Sequence, residues 1–250
     1  MIATVGTTAK GDPMESDPLK DQGAHNYVLN SLGERIVSGD LPPFTVINLN
    51  SLEKEYQVSR TVIREVVRVL ESHGMLKSRR RVGITVQPIE NWDVMDESVI
   101  KWRLNGPGYD QQVNELMELR LAIEPVAARL AADRATDEER DRLVELAKIL
   151  AKLGVLNEGN TREFLDADIA FHAGLIEASK SPLLICLVGP CTEVISGRWV
   201  RNTLSGVPQT ATLERHVEIA EAVKMGDADA AAESSNELIT IMFNEIGTGQ

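Results

Sequence analysis

Aromatic side chains are scarce in this chain, at 4% of residues, while alanine and leucine abound, a composition that leans towards helices. The two cysteines, Cys186 and Cys191, lack the CxxC spacing of a redox or zinc-thiolate site and have no partners elsewhere, so both are expected to be buried thiols. No apolar run approaches the ~20 residues needed to span a bilayer. The longest, Leu183 to Val188, is expected to be core. The first residues carry neither the basic start nor the apolar middle of a secretory signal, so no membrane partner is expected and a cytoplasmic location is the default. Nor does a nucleophile or general base stand at a motif spacing.

What is present is a marked charge contrast. From Ser59 to Arg81 seven Lys/Arg face two acids, a local balance of +5 in a chain whose net charge is −12, so the remainder carries −17. A basic island in an acidic protein is explained by a phosphate-binding surface, where counterion release drives association. The periodicity agrees. Ser59 is a good N-cap and His73-Gly74 a good helix stop; between them Val62, Ile63, Val66, Val69 and Leu70 share one face, and Thr61, Arg64 and Arg68 the other. Thr61 and Arg64 lie in the first turns, where a recognition helix meets base edges. Met75 to Lys77 and Ile84 to Val86 then alternate as two short strands around an arginine-rich tip. Upstream, helices are expected at Asn26 to Gly39 and Ser51 to Tyr56, which completes the order of a winged helix-turn-helix.

The runs IVSGDLPPF and VSRTVIREVVRVLESHGML, with a basic wing ending in GITV, resemble the DNA-binding domain of the GntR family of bacterial transcription regulators over about residues 25 to 88. The resemblance is specific at Val58-Ser59-Arg60-Thr61 and Arg64-Glu65. It implies base and phosphate contacts to operator DNA from Arg60, Thr61 and Arg64 beside Ser59, and minor-groove contacts from Arg80 and Arg81 at the wing tip. One departure stands out. Where the family usually has Ser-Glu-Arg, this chain has Asn48-Leu49-Asn50, so the arginine's contribution falls to Asn50 or is lost.

Beyond the wing, N-W-x-x-x-D-x-x-V-x-x-W from Asn91 to Trp102 is similar to repressors of sugar-acid catabolism in the same family, such as those of galactonate operons. From Tyr109 onward only helices are expected, at about 110–134, 136–153, 161–179, 182–203, 210–225 and 228–246. On the helix near 161–179, Asp168 and His172 fall within the apolar stripe of Phe164, Phe171 and Leu175, one turn apart. His216 lies on the apolar face of a later helix, between Val223 and Ala220. Buried polar groups need partners, and two readings fit: a set of first-row metal ligands, or a hydrogen-bonded network with water.

The patterns FLDADIAFH, RLAIEPVAARLAA and ERHVEIAEAVK resemble the FCD effector domain of the FadR-type subgroup. That resemblance implies a divalent metal at Asp168, His172 and His216, zinc first and nickel or manganese as alternatives, taking part in binding a small carboxylate such as a sugar acid. The usual fourth ligand is a histidine on the final helix, yet none follows His216; Asn236 is expected to face the same cavity. The subgroup also places an arginine like Arg120 towards the cavity. From the residues alone, Arg120 lies at the margin of a stripe through Leu116, Leu119, Ile123 and Val126, and either clamps a carboxylate or pairs with Glu124. Glu124-Pro125 is read as a structural kink.

The expected architecture is therefore mostly α: a tail at 1–22 taken as disordered, a winged helix-turn-helix at 23–88, a linker at 89–107, and an all-α effector-binding and dimerisation domain at 108–250. The expected function is a homodimeric repressor released by its effector. A metal-dependent enzyme using Asp168, His172 and His216, or a constitutive DNA-binding dimer, are the alternatives.

Overall fold

The computed structural model describes residues 18–201 and 205–248. They form two compact units, one reaching Trp92 and one starting at Asp93, with Val37–Asp40 belonging to the second. Residues 1–17 of the expected tail lie outside the described residues, and helix α1 (Pro18–Val37) already begins within that stretch.

The first unit continues with β1 (Val46–Ile47), α2 (Leu49–Tyr56), α3 (Arg60–Ser72), β2 (Leu76–Arg79) and β3 (Gly83–Val86). Val62, Ile63, Val66 and Leu70 of α3 are buried and Thr61, Arg64 and Arg68 exposed, as a 3.6-residue period dictates, but Val67 completes the buried face and Val69 is only half-buried. Ser59 Oγ accepts from the Val62 amide at 3.3 Å and so starts the helix. Gly74 ends it with a left-handed φ of +71°, and a Cβ there would stand 2.0 Å from the Asn91 carbonyl oxygen, so neither the turn nor the close approach admits a side chain. The hairpin pairs Leu76 with Val86 and Arg79 with Gly83. Strand β1, which no local pattern announces, adds to β3 opposite Thr85 and Ile84, giving the order β1-β3-β2.

The second unit is helical: α4 (Glu97–Asn105), α5 (Tyr109–Arg134), α6 (Asp137–Val155), α7 (Arg162–Ala178), α8 (Pro182–Ile185), α9 (Val188–Val200), α10 (Thr210–Met225) and α11 (Ala228–Thr248). Helix α5 is central and packs against α4, α7, α9, α10 and α11. Thr136 and Glu139 close a reciprocal capping box at the start of α6. Arg140 then serves two helix ends at once, donating to the carbonyls of Ala132 at 2.6 Å and Val223 at 2.5 Å in the last turns of α5 and α10, where a cation is favoured.

Four expectations about this unit need correction. The stretch 89–107 is no free linker: Val99, Ile100, Trp102 and Leu104 of α4 are buried, and Arg201 caps the helix through the carbonyls of Leu104 and Gly106. The helix expected at 182–203 breaks at Cys186-Leu187 into α8 and α9. Its apolar run is not core either, because Leu183 is 82% exposed and Ile185 39%. Of the two thiols, Cys191 is buried and Cys186 exposed. Pro182–Val200 does reach the length and mean hydropathy of a membrane span, but the break divides it, and Cys191, Val194 and Ile195 are buried within the unit.

Candidate DNA-reading surface and metal centre

On the first unit, α2 and α3 present their side chains to solvent together. Arg60 Nη1 donates to Asn50 Oδ1 at 3.1 Å and lies 3.6 Å from Glu53, so α2 holds the first arginine of α3. Asn50 is not the residue that starts α2; Asn48 is, its Oδ1 accepting from the Asn50 amide at 2.8 Å. Arg68 is drawn to Glu65 at 2.6 Å along its own helix. Between them Arg64 is exposed and forms no ion pair among the described residues. Arg79, Arg80 and Arg81 are exposed at the wing turn, which the Val82 amide closes onto the Arg79 carbonyl at 3.1 Å. Arg81 holds a left-handed φ of 67°, a conformation that costs a side-chain-bearing residue about 1 kcal/mol. The wing thus keeps an arginine where glycine would be more stable.

The second unit builds its polar cluster inside the core. Helix α7 contributes Asp168 and His172, α10 contributes His216 and α5 contributes Arg120 and Glu124; Arg120, Glu124 and His172 are fully buried. His216 Nδ1 lies 2.8 Å from the Thr212 carbonyl. A carbonyl only accepts, so this nitrogen carries the proton. His172 Nδ1 lies 2.6 Å from Glu124 Oε2, and Glu124 Oε1 accepts from Arg120 Nε at 2.5 Å. Burial alone would raise the Glu124 pKa, but the Arg120 and His172 charges outweigh it and hold it near 2, so Glu124 accepts as a carboxylate. With both Nδ1 atoms protonated, a neutral ring offers its Nε2 lone pair. Both Nε2 atoms point at Asp168 Oδ1, each 3.3 Å away.

Three acceptors therefore converge, and none has a hydrogen-bond partner. Charge-assisted bonds are typically ~2.7–2.9 Å, whereas the edges of a tetrahedron with metal-ligand distances of ~2.0–2.1 Å are ~3.3–3.4 Å. The three ligand atoms all lie within 4.8 Å of one another. A cation at their centre would satisfy all three. Burial opposes a charge on His172 and Arg120 adds to that, but Glu124 and Asp168 prevail and raise its pKa; burial likewise opposes ionisation of Asp168, and cationic imidazoles donating from Nε2 are what would hold its pKa below the usual range. A proton on His172 or a divalent metal meets the same demand, and the donor set of two imidazoles and one carboxylate fits the metal.

A cavity of about 330 Å³ opens on this cluster, its lining including Asp168, His216, Phe164, Arg198, Met242 and Glu245. Burial raises the Glu245 pKa and Arg198 opposes that rise.

Comparison with known proteins decides the family. The FCD domain matches residues 115–240, and the family described as bacterial regulatory proteins, gntR family, matches residues 25–86. The chain belongs to the GntR family and carries an FCD domain. It is 28% identical to the galactonate operon transcriptional repressor of Escherichia coli K12 over 217 residues, spanning 85% of this chain and 92% of that one. It is 29% identical to the uncharacterized HTH-type transcriptional regulator YieP of the same organism over 230 residues, spanning 91% and 97%. The solved structure of Lar, which controls the expression of the Listeria monocytogenes agr system, superposes with a TM-score of 0.62 over 97% of this chain and 100% of that one at 16% identity, which shows a shared fold. This GntR chain is accordingly a DNA-binding transcription regulator of the FadR type rather than an enzyme.

Two site expectations fail within its FCD domain. Asn236 is exposed, and the inward residues of α11 include Ser235, Leu238, Ile239 and Met242; among the described residues no fourth nitrogen or carboxylate joins Asp168, His172 and His216. Arg120 is at the centre of the buried face of α5 and not at its margin, while Val126 is 47% exposed. Arg120 is also absent from the cavity lining, where Arg198 is the arginine. Spacing offers Glu124 as a pairing partner for Arg120, a pair the structure forms, and as part of a kink with Pro125. The contact of Glu124 with His172, 48 residues away, has no counterpart in spacing.

Proposed function

We propose that this GntR regulator is a homodimeric repressor whose hold on operator DNA is released by a small carboxylate of the sugar-acid class, bound beside a divalent metal at Asp168, His172 and His216. The observation that carries the reading is the convergence of three partnerless acceptors, two of which, on Asp168 and His216, belong to residues lining a 330 Å³ cavity. Two nitrogens and one oxygen suit zinc, with nickel or manganese as alternatives. When bound, a metal with three protein ligands supplies an open coordination position for a ligand's carboxylate oxygen. Arg198 and Glu245 line the same cavity, which suits a ligand carrying both an anionic end and hydroxyl donors. The similarity to a galactonate operon repressor supports the same class.

On the DNA side, Arg64 and Thr61 are expected to meet base edges, Arg60 and Ser59 to meet the backbone near Asn50, and Arg80 and Arg81 to enter the minor groove. A single winged helix covers one half-site, so a two-fold dimer on a palindromic operator in the cytoplasm follows. For release, the effector must bind more tightly to the form with low DNA affinity.

The test uses purified protein loaded with zinc and titrated with galactonate and related aldonates. Melting temperature is expected to rise and operator binding to fall, since a ligand of the native state stabilises it. If no aldonate moves either quantity, the effector class is wrong.

A further inference from the structure

We infer that Glu124 is the positioning residue of the metal centre, the group that selects the tautomer of His172 and thereby makes its Nε2 a ligand. The inference rests on the metal reading above and adds a residue from another helix to it. Its basis is the division of one carboxylate between two tasks: Oε2 accepts from His172 Nδ1 at 2.6 Å, and Oε1 accepts from Arg120 Nε at 2.5 Å, all three side chains being fully buried.

Each contact alone has a simpler account. Arg120 needs a counter-charge in the core, and Glu124 at i+4 supplies it. His172 needs some acceptor for its Nδ1 proton. Together they impose more than either. A neutral imidazole carries one proton, and if Glu124 did not claim it at Nδ1, Asp168 Oδ1, 3.3 Å from Nε2, would draw it to the other nitrogen. The lone pair would then face α5, away from His216 and Asp168, and the converging set would lose a member. His216 is fixed independently, by the Thr212 carbonyl of its own helix. His172 has no such backbone acceptor, so its orientation depends on a side chain from α5, and Arg120 fixes that side chain. Carboxylate partners of this kind orient metal-bound histidines and raise their basicity, and their loss typically weakens metal affinity 10–100-fold.

Glutamine cannot replace Glu124 beside Arg120. Its single amide oxygen can accept from Arg120 Nε or from His172 Nδ1, and its NH₂ group then confronts the other donor. Removing the arginine resolves that conflict, which gives the experiment its control.

Cobalt(II) is the probe, because its visible absorption reports ligand number and geometry as well as affinity. Wild type, Arg120→Met/Glu124→Gln and Arg120→Met/Glu124→Ala are titrated; both double variants remove the buried charge pair together, so neither strands an unpaired ion in the core. The Gln variant retains an acceptor for Nδ1 and is expected to bind within a few-fold of wild type with an unchanged spectrum. The Ala variant is expected to bind about 10–100-fold more weakly, with an altered spectrum. Equal affinities and spectra for these two would overturn the role of Glu124 while leaving the metal site intact. Wild-type protein that takes up no cobalt overturns the metal reading itself, and this inference with it. A merely structural Glu124 would shift the melting temperature of both double variants and leave the difference between their cobalt affinities at zero.

Discussion

The arginines of α3 and the wing are solvated, with any partners at the surface, whereas Arg120, Glu124 and His172 near Asp168 are buried and paired with one another. Arg64, Arg80 and Arg81 are exposed; Arg120 and Glu124 are fully buried and joined at 2.5 Å. A hydrated cation costs the fold almost nothing and gives up its counterions only when a polyanion arrives. A buried ion is expensive unless its partner is in place. The two regions therefore fail differently. Substitution on the first is expected to remove function from an intact fold, and substitution in the second to remove stability together with function.

The largest expected effect breaks the buried side. Glu124→Ala strands Arg120 in the core, and breaking a buried pair by deleting one partner costs about 3–5 kcal/mol of folding stability. Urea unfolding of wild type and variant measures it; a loss under ~1 kcal/mol would show that the arginine finds water, and the contrast between the regions would weaken. Next in size is the metal. Protein dialysed against a strong chelator is expected to be less stable than zinc-loaded protein by about 2.7 kcal/mol when zinc is held at 100 times its dissociation constant. Identical melting curves would leave the cluster as a hydrogen-bonded network with a protonated His172. On the exposed side, Arg64→Ala is expected to cost about 1–3 kcal/mol of operator affinity with stability unchanged within ~0.5 kcal/mol. Unaltered operator binding in a mobility-shift assay would remove Arg64 from the base-reading set.

How far each region was legible in the sequence follows from the same difference. A solvated surface needs only a local pattern: the period of α3, its N-cap at Ser59, its stop at Gly74 and the charge of the wing are all written within one stretch, and the structure departs from it only in burying Val67 ahead of Val69. Periodicity also put Asp168, His172 and His216 on inward faces. It does not say which inward residues meet. The Glu124–His172 contact depends on how α5 and α7 pack, and the packing around α5 brings Arg120, at the margin of the stripe by periodicity, fully inside. Asn236 was chosen by analogy with a missing histidine, and the packing of α11 turned it outward. The exposure of Leu183 is a failure of another kind, since apolar composition alone cannot separate core from uncovered surface. Strand β1 is two residues long and exists only through its pairing with β3.

The smallest expected effect concerns Asn50, at the edge of the exposed region, and it sharpens the comparison most finely. Asn50 is exposed and its side chain accepts one hydrogen bond from Arg60 at 3.1 Å, while Asn48 starts α2. Glu53, 3.6 Å from Arg60, still draws the guanidinium when Asn50 is shortened. A net hydrogen bond is worth about 0.5–1.5 kcal/mol, and an exposed one lies at the low end. Asn50→Ala is therefore expected to lower operator affinity less than about five-fold, with no change in stability and none in the salt dependence, because no phosphate-directed charge is lost. Asn50→Arg, which supplies the arginine usual in the family, is expected to steepen the slope of log affinity against log salt by about 0.9 if position 50 reaches a phosphate. An unchanged slope would confine position 50 to supporting Arg60. A loss for Asn50→Ala that varies with operator sequence would instead make the amide a base reader in its own right, since phosphate contacts weaken all sequences alike.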